Sequence, residues 1–94
     1  MYKPLPSTLT IKQSEIEGLG LFSTEIIKNG TILGISHHNI NDELIRTPLG
    51  GFYNHSEKPN CKKIQYENQW LLITLRNIKK NEEITVSYTF YKIN

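Results

Sequence analysis

No alanine occurs among the 94 residues, and cysteine, methionine and tryptophan appear once each. The single Cys61 excludes an internal disulfide framework and any multi-cysteine zinc site within the chain. No apolar run exceeds a few residues, so neither a transmembrane helix nor a signal-peptide core is expected. Charge of one sign is lacking as well. Eleven Lys and Arg against nine Asp and Glu leave +2, which does not point to a phosphate backbone as partner. These absences lead us to expect a soluble, intracellular domain that partners neither nucleic acid nor membrane.

What is present fits a small β domain. Hydrophobic residues make up 37% and charged residues 21%, which is ordinary for a globular chain and too apolar for a disordered one. A chain of this size removes about 60–65% of its unfolded surface from water, so its core is thin. Isoleucine, leucine and threonine are plentiful, and with alanine missing they tilt the backbone toward strands. We expect one domain over residues 1–94, with 1–7, which carry Pro4 and Pro6, as an extended arm.

Leu9, Ile11 and Gln13 alternate with polar neighbours and predict a first strand. Gly18 and Gly20 then predict a turn feeding a second strand at Leu21-Phe22. An internal echo follows, in which Ile27-Lys28-Asn29-Gly30 lines up with Ile78-Lys79-Lys80-Asn81. Gly30 falls opposite Asn81, and both residue types enter the left-handed region readily, so two similar basic turns are expected. Residues 37–51 read as the least regular part, with Asn41-Asp42 capping one helical turn through Leu44 and Ile45. Beyond Cys61, residues 62–66 and 70–75 read as a hairpin about Glu67-Asn68-Gln69. Ile84 to Tyr88 predicts the last strand, with Ile84 and Val86 on one face.

Three stretches could carry chemistry: Gly18 to Phe22, Asn54-His55-Ser56-Glu57-Lys58-Pro59-Asn60-Cys61, and Asn81 to Phe90. The glycine pair is not followed by a helix in a βαβ unit, so it is no dinucleotide fingerprint. In this order and spacing the three stretches resemble the SET domain of protein lysine methyltransferases. The matching residues are Gly18, Gly20 and Phe22; Lys28 and Gly30; Asn54 through Cys61; and Glu82, Glu83, Ile84 and Tyr88. The resemblance runs from about Leu9 to Phe90.

The fold this resemblance implies is mainly β. It is a SET-type β-clip of several short strands and little helix, with a pseudoknot-like C-terminal segment threaded beneath the loop carrying Asn54 and His55. The implied cofactor is S-adenosyl-L-methionine, at positions matching Glu17, Gly18, Leu19, Gly20, Asn54 and His55, largely through backbone groups. The implied catalytic residue is Tyr88, whose hydroxyl orients amine and methyl. Tyr53 and Phe90 match positions lining the lysine channel. The implied reaction is methyl transfer to a neutral lysine amine of a protein or peptide, with no metal. The flanking zinc modules of larger relatives have no counterpart, and little sequence follows Phe90. These features suit a minimal viral or bacterial SET protein, placed in the bacterial cytoplasm or the host cell, and a homodimer is expected as in some minimal relatives.

Plainer readings stand beside these. Tyr88 alone would be a half-buried packing tyrosine, and Cys61 a small buried hydrophobe. A nucleophilic Cys61–His55 pair lacks a third, orienting group. His37 and His38 point to opposite faces of an extended segment, which argues against a metal set with His55 and Cys61. Lys62-Lys63 and Lys79-Lys80 read as a solvated face. A non-catalytic β-clip binding module, or a degenerate SET domain that binds cofactor without transfer, is the alternative function.

Overall fold

The computed structural model describes residues 5–87 and the backbone of the strand Tyr91–Lys92. The described residues form β1 (Leu9–Gln13), β2 (Leu19–Ser23), β3 (Ile32–Ile40), β4 (Glu43–Arg46), β5 (Asn54–His55), β6 (Cys61–Tyr66), β7 (Gln69–Thr74), β8 (Thr85–Val86) and β9 (Tyr91–Lys92). Strands β1 and β2 pair as an antiparallel ribbon. The others form a mixed sheet in the order β4-β3-β7-β6-β8-β5, with β9 also on β6. The helical content of the described residues is one 3-10 turn, Leu49–Gly51. The mainly β architecture expected from composition is what the chain adopts.

One element departs from expectation. Residues 37–46 hold no helical turn; β3 runs to Ile40 and returns as β4, with His38 opposite Ile45 and Ile40 opposite Glu43. Asn41 and Asp42 take φ of 51° and 65°. Positive φ at both central residues is what a type I′ hairpin turn requires, and Asn and Asp tolerate it at small steric cost. A helix cap would instead place its residue in the β region. Leu44 and Ile45 therefore lie on opposite faces of a fully exposed edge strand rather than on one helical stripe.

The sequence echo has a structural counterpart. The two copies meet at Ile27 and Ile78, each donating its backbone N–H to the other's carbonyl at 2.9 and 2.7 Å. Both side chains are buried. Gly30 and Asn81 sit at φ 79° and 67°, the shared left-handed step. Gly30 donates to the carbonyl of Thr74 at 3.1 Å, and Asn81 to the carbonyl of Ser23 at 3.0 Å. The Thr74 hydroxyl donates to the Lys28 carbonyl and accepts from Thr31 N–H. Ser23 repeats both contacts, with the Lys79 carbonyl and with Glu82 N–H. Each turn is thus clamped by a buried hydroxyl on the strand before the other turn, an approximate two-fold arrangement about the Ile27–Ile78 pair. A hydroxyl bonded on both sides stabilises where an orphaned one would cost about 1–3 kcal/mol.

Strand β8 runs parallel to both β5 and β6, with Asn54 opposite Thr85, His55 opposite Val86, and Cys61 also opposite Val86. The loop 56–60 that joins β5 to β6 must therefore cross the C-terminal segment. Asn60 ties the crossing. Its amide donates to the Glu83 carbonyl at 2.8 Å, its Oδ1 accepts from Thr85 N–H at 2.9 Å, and its own N–H donates to Thr85 Oγ1 at 3.2 Å. Beneath the crossing lie Leu21, Cys61, Leu72, Ile78, Ile84 and Val86, all fully buried. Each such aliphatic side chain contributes about 1.5–3 kcal/mol by leaving water.

Candidate active site

The β1–β2 turn is built by one hydroxyl. Ser14 Oγ accepts from Ile16 N–H at 2.9 Å, and Ser14 N–H donates to the Gly18 carbonyl at 2.8 Å. Gly18 takes φ of 48°, and a Cβ added there would meet open space. The turn presents Glu17, Gly18 and Leu19 to solvent, with the Leu19 side chain 55% exposed.

Asn54 joins this turn to the rest of the molecule. Its Nδ2 donates to the Glu17 carbonyl at 3.1 Å, to Ser14 Oγ at 3.0 Å and to Glu83 Oε2 at 2.8 Å. The Ser14 hydroxyl also lies 2.8 Å from each Glu83 carboxylate oxygen. The Glu83 carboxylate fills the space over Gly20, whose buried backbone is backed by the bridge between Phe22 and Glu83. One amide therefore gathers β5, the β1–β2 turn and the segment entering β8 at a single point.

Of the residues singled out in the sequence, Glu17, Gly18, Leu19, Gly20 and Asn54 fall in this cluster. His55 follows Asn54 on β5, half-buried and paired in register with Val86. Tyr53 packs against the core. Tyr88 and Phe90 lie outside the described residues. Sequence reasoning did not assign Glu83 or Ser14 a place in the site. Glu83 stood inside a quoted motif, whereas nothing local marks Ser14.

Two further groups support the cluster. Glu82 accepts from Lys79 N–H at 2.9 Å, from Asn60 Nδ2 at 3.3 Å and from the Arg76 guanidinium, with which it forms an ion pair. The Arg76 hydrogen bond is the main reason its pKa falls to about 2. Cys61, fully enclosed, has its thiol pushed up to about 12 by burial, the behaviour of a packing residue rather than a nucleophile.

Lys63 corrects an expectation. It was read with Lys62 as a solvated face, yet it is 2% exposed. The alternation of β6 starts at buried Cys61, so Lys63 turns inward and only Lys62 is left outward. His37 is buried too, while His38 lies half-buried one residue on. Among the described residues, no three His, Cys, Asp or Glu gather as a metal site, and no helix is long and apolar enough to cross a membrane. A separate cleft of about 600 Å³ opens between Leu5–Ser7, β3 and the 3-10 turn, and none of the candidate site residues lines it.

A β sheet threaded by its own C-terminal segment, with that segment tied to a glycine turn through Asn54, defines a SET-type domain. The SET domain family model matches residues 36–89, and the chain belongs to that family of protein lysine methyltransferases. Among solved structures, that of a candidate histone methyltransferase from Plasmodium falciparum superposes with a TM-score of 0.76 at 28% identity. The match covers 90% of this chain and 96% of that one. A search of curated proteins gives no significant match.

Proposed function

We propose that the chain is an S-adenosyl-L-methionine-dependent protein-lysine N-methyltransferase. The observation that carries this reading is the Asn54 amide, which assembles the glycine turn, the Asn-His loop and the Glu83 segment into one cluster. The donor set suits such a cofactor. The backbone of residues 17–19 lies exposed to solvent beside the cluster, the Glu83 carboxylate and Glu17 carbonyl favour positive charge, and Leu19 offers an apolar face. When bound, the cofactor supplies a methyl group on a positive sulfonium.

The rest is the work of the chain's own residues. Glu17 to Gly20, Asn54 and His55 hold the cofactor. Tyr53 and Phe90 wall the channel for a protein or peptide lysine, and the Tyr88 hydroxyl orients its amine. The amine must arrive neutral. Discharging a lysine of ordinary pKa at pH 7 costs about 4–5 kcal/mol, and an apolar channel lowers that cost by desolvation. Alignment of two held reactants supplies most of the remaining rate.

The test is a calorimetric titration of S-adenosyl-L-methionine into the chain and into Asn54→Ala, followed by transfer of labelled methyl to lysine peptides by wild type and Tyr88→Phe. Binding lost in Asn54→Ala and transfer lost in Tyr88→Phe are expected. Binding with no transfer by wild type would favour the degenerate domain, and no binding the β-clip module.

A second copy is the partner that β4 fits. Among the described residues no strand pairs with its outer edge, and Leu44 and Ile45 are exposed there. Asp42-Glu43 at one end and Arg46 at the other make an antiparallel pairing of two copies charge-complementary. A dimer mass in scattering at micromolar concentration, shifted to monomer by Ile45→Lys, is expected; a monomeric wild type would remove this proposal.

A further inference from the structure

One carboxylate of the candidate site has no counter-charge. Glu82 and Glu83 stand side by side just before β8, and the fold treats them differently. Glu82 is neutralised by the Arg76 guanidinium. Glu83 meets neutral donors instead: the Ser14 hydroxyl, 2.8 Å from each carboxylate oxygen, and Asn54 Nδ2 at 2.8 Å. Among the described residues no lysine, arginine or histidine pairs with it. Strand register sets Lys12 opposite Gly20, over which the Glu83 carboxylate lies. Yet Lys12 Nζ donates to Asn81 Oδ1 at 3.2 Å and stands 5.7 Å from the centroid of the Phe22 ring.

Glu83 is half-buried, so water answers its charge only in part. An ionised carboxylate offers about four lone-pair sites, and its two donors leave part of that capacity unused. The same two donors hold it in place, because Ser14 and Asn54 are tied to each other as well. The other charges of the cluster do not cancel it. The β1–β2 turn adds Glu15 and Glu17, both exposed and of the same sign. The site is thus locally negative in a chain whose net charge is +2. A fixed, partly desolvated carboxylate without a cation suits a ligand that brings one.

We propose that Glu83 sets the preference of the site for the charged methyl donor over the neutral thioether left after transfer, a specificity role that rests on the methyltransferase reading above. The two ligands share their adenosine and amino-acid groups and differ by one methyl and one positive charge. In transfer the N–CH3 bond forms from the lone pair of the amine, and the electron pair of the broken S–CH3 bond stays on sulfur. The positive charge passes to the substrate nitrogen, and the ligand left behind is neutral. Contacts to the shared groups hold both ligands alike, so they give no discrimination. The Glu83 carboxylate stabilises only the charged one, which retains the donor and lets the spent product go.

Calorimetry of S-adenosyl-L-methionine and S-adenosyl-L-homocysteine tests this without turnover, through the ratio of their dissociation constants. Glu83→Gln keeps the size of the side chain and an acceptor for its donors but removes the charge. It is expected to cut the preference for the sulfonium by about fivefold, the order one charge gives across several ångströms of half-wet site. Ser14→Ala, which loosens the cluster and keeps the charge, is expected to weaken both ligands by the same factor. Glu15→Gln, at an exposed and screened position, is expected to leave the ratio unchanged. An unchanged ratio in Glu83→Gln, shown to be folded by its thermal melt, would overturn the proposal alone. So would a ratio moved as far by Ser14→Ala or Glu15→Gln. No binding of either ligand to the wild type would overturn the methyltransferase reading and the proposal with it. Should Glu83→Gln not fold, the wild type decides: its preference for the sulfonium should weaken between about 0.05 and 0.5 M salt, and a constant or rising preference would overturn the proposal.

Discussion

Gly20 and Glu83 are so close that a Cβ on residue 20 would stand 2.4 Å from Glu83 Oε2. That carboxylate is not free to swing aside, because Ser14 and Asn54 both donate to it. Gly20→Ala therefore displaces Glu83 and with it the Asn54 amide. We expect a loss of about 1–2 kcal/mol in urea unfolding, together with at least tenfold weaker binding of S-adenosyl-L-methionine. Gly18→Ala, with open space about its Cβ, costs only the backbone strain of its positive φ, about 1 kcal/mol. Comparing the two variants by calorimetry separates a steric effect from a general intolerance of the turn.

The Glu82 carboxylate gives the domain an acid limit. Its native pKa of about 2 lies below the ordinary carboxylate value. The stabilisation it supplies is complete above the unfolded value and is lost as pH falls from about 4.5 toward 2. Because Arg76 is more than half exposed, the effect is modest, about 1–2 kcal/mol at pH 7 for Glu82→Gln. Urea midpoints at pH 7 and pH 2.5 check it: the gap between wild type and Glu82→Gln should narrow at the lower pH.

At the two equivalent turns, side chains should be exchangeable in one direction only. Asn81→Gly relieves a positive φ and costs little beyond its contact with Lys12. Gly30→Ala introduces strain of about 1 kcal/mol, and Gly30→Asn less. Thermal melts of the three variants give the order.

Cys61 supplies an alkaline limit and a probe. Its thiol pKa, raised to about 12, means the folded state keeps a proton that the unfolded chain releases near 9. Stability is unaffected below that value and falls as pH rises from about 9 toward 12. At pH 8 a thiol reagent should label native protein only at the rate of opening, and mild urea should accelerate it. Immediate labelling of the native chain would contradict the burial.

How much of this was legible depended on the range of the physics involved. The turns at Gly18, Gly30 and Asn81 rest on local backbone preference, and the strands on period-two alternation, so both could be read from sequence. Asn41-Asp42 was misread because the same two residue types suit a helix cap and a left-handed turn, and only the pairing of His38 with Ile45 decides between them. Lys63 was misread because two adjacent lysines look like surface until buried Cys61 fixes the phase of the strand. Ser14 was missed because its partners, Asn54 and Glu83, come from distant parts of the chain. The echo was visible as similar turns, but not the contact of Ile27 with Ile78.

The place of β8 between β6 and β5 sets the order in which the domain can form. A segment that follows both β5 and β6 in the sequence lies between them in the sheet, so residues emerging before it from a ribosome have no finished fold to adopt. Until residues 82–86 arrive, β5 and β6 expose unpaired edges and Asn60 has neither Thr85 nor Glu83 to bond. Folding then waits for this segment, governed by long-range contacts and correspondingly slow. Nascent chains stalled before Glu82 should be open to proteolysis along their whole length, and resumed elongation past Val86 should convert them to a resistant form in a single step.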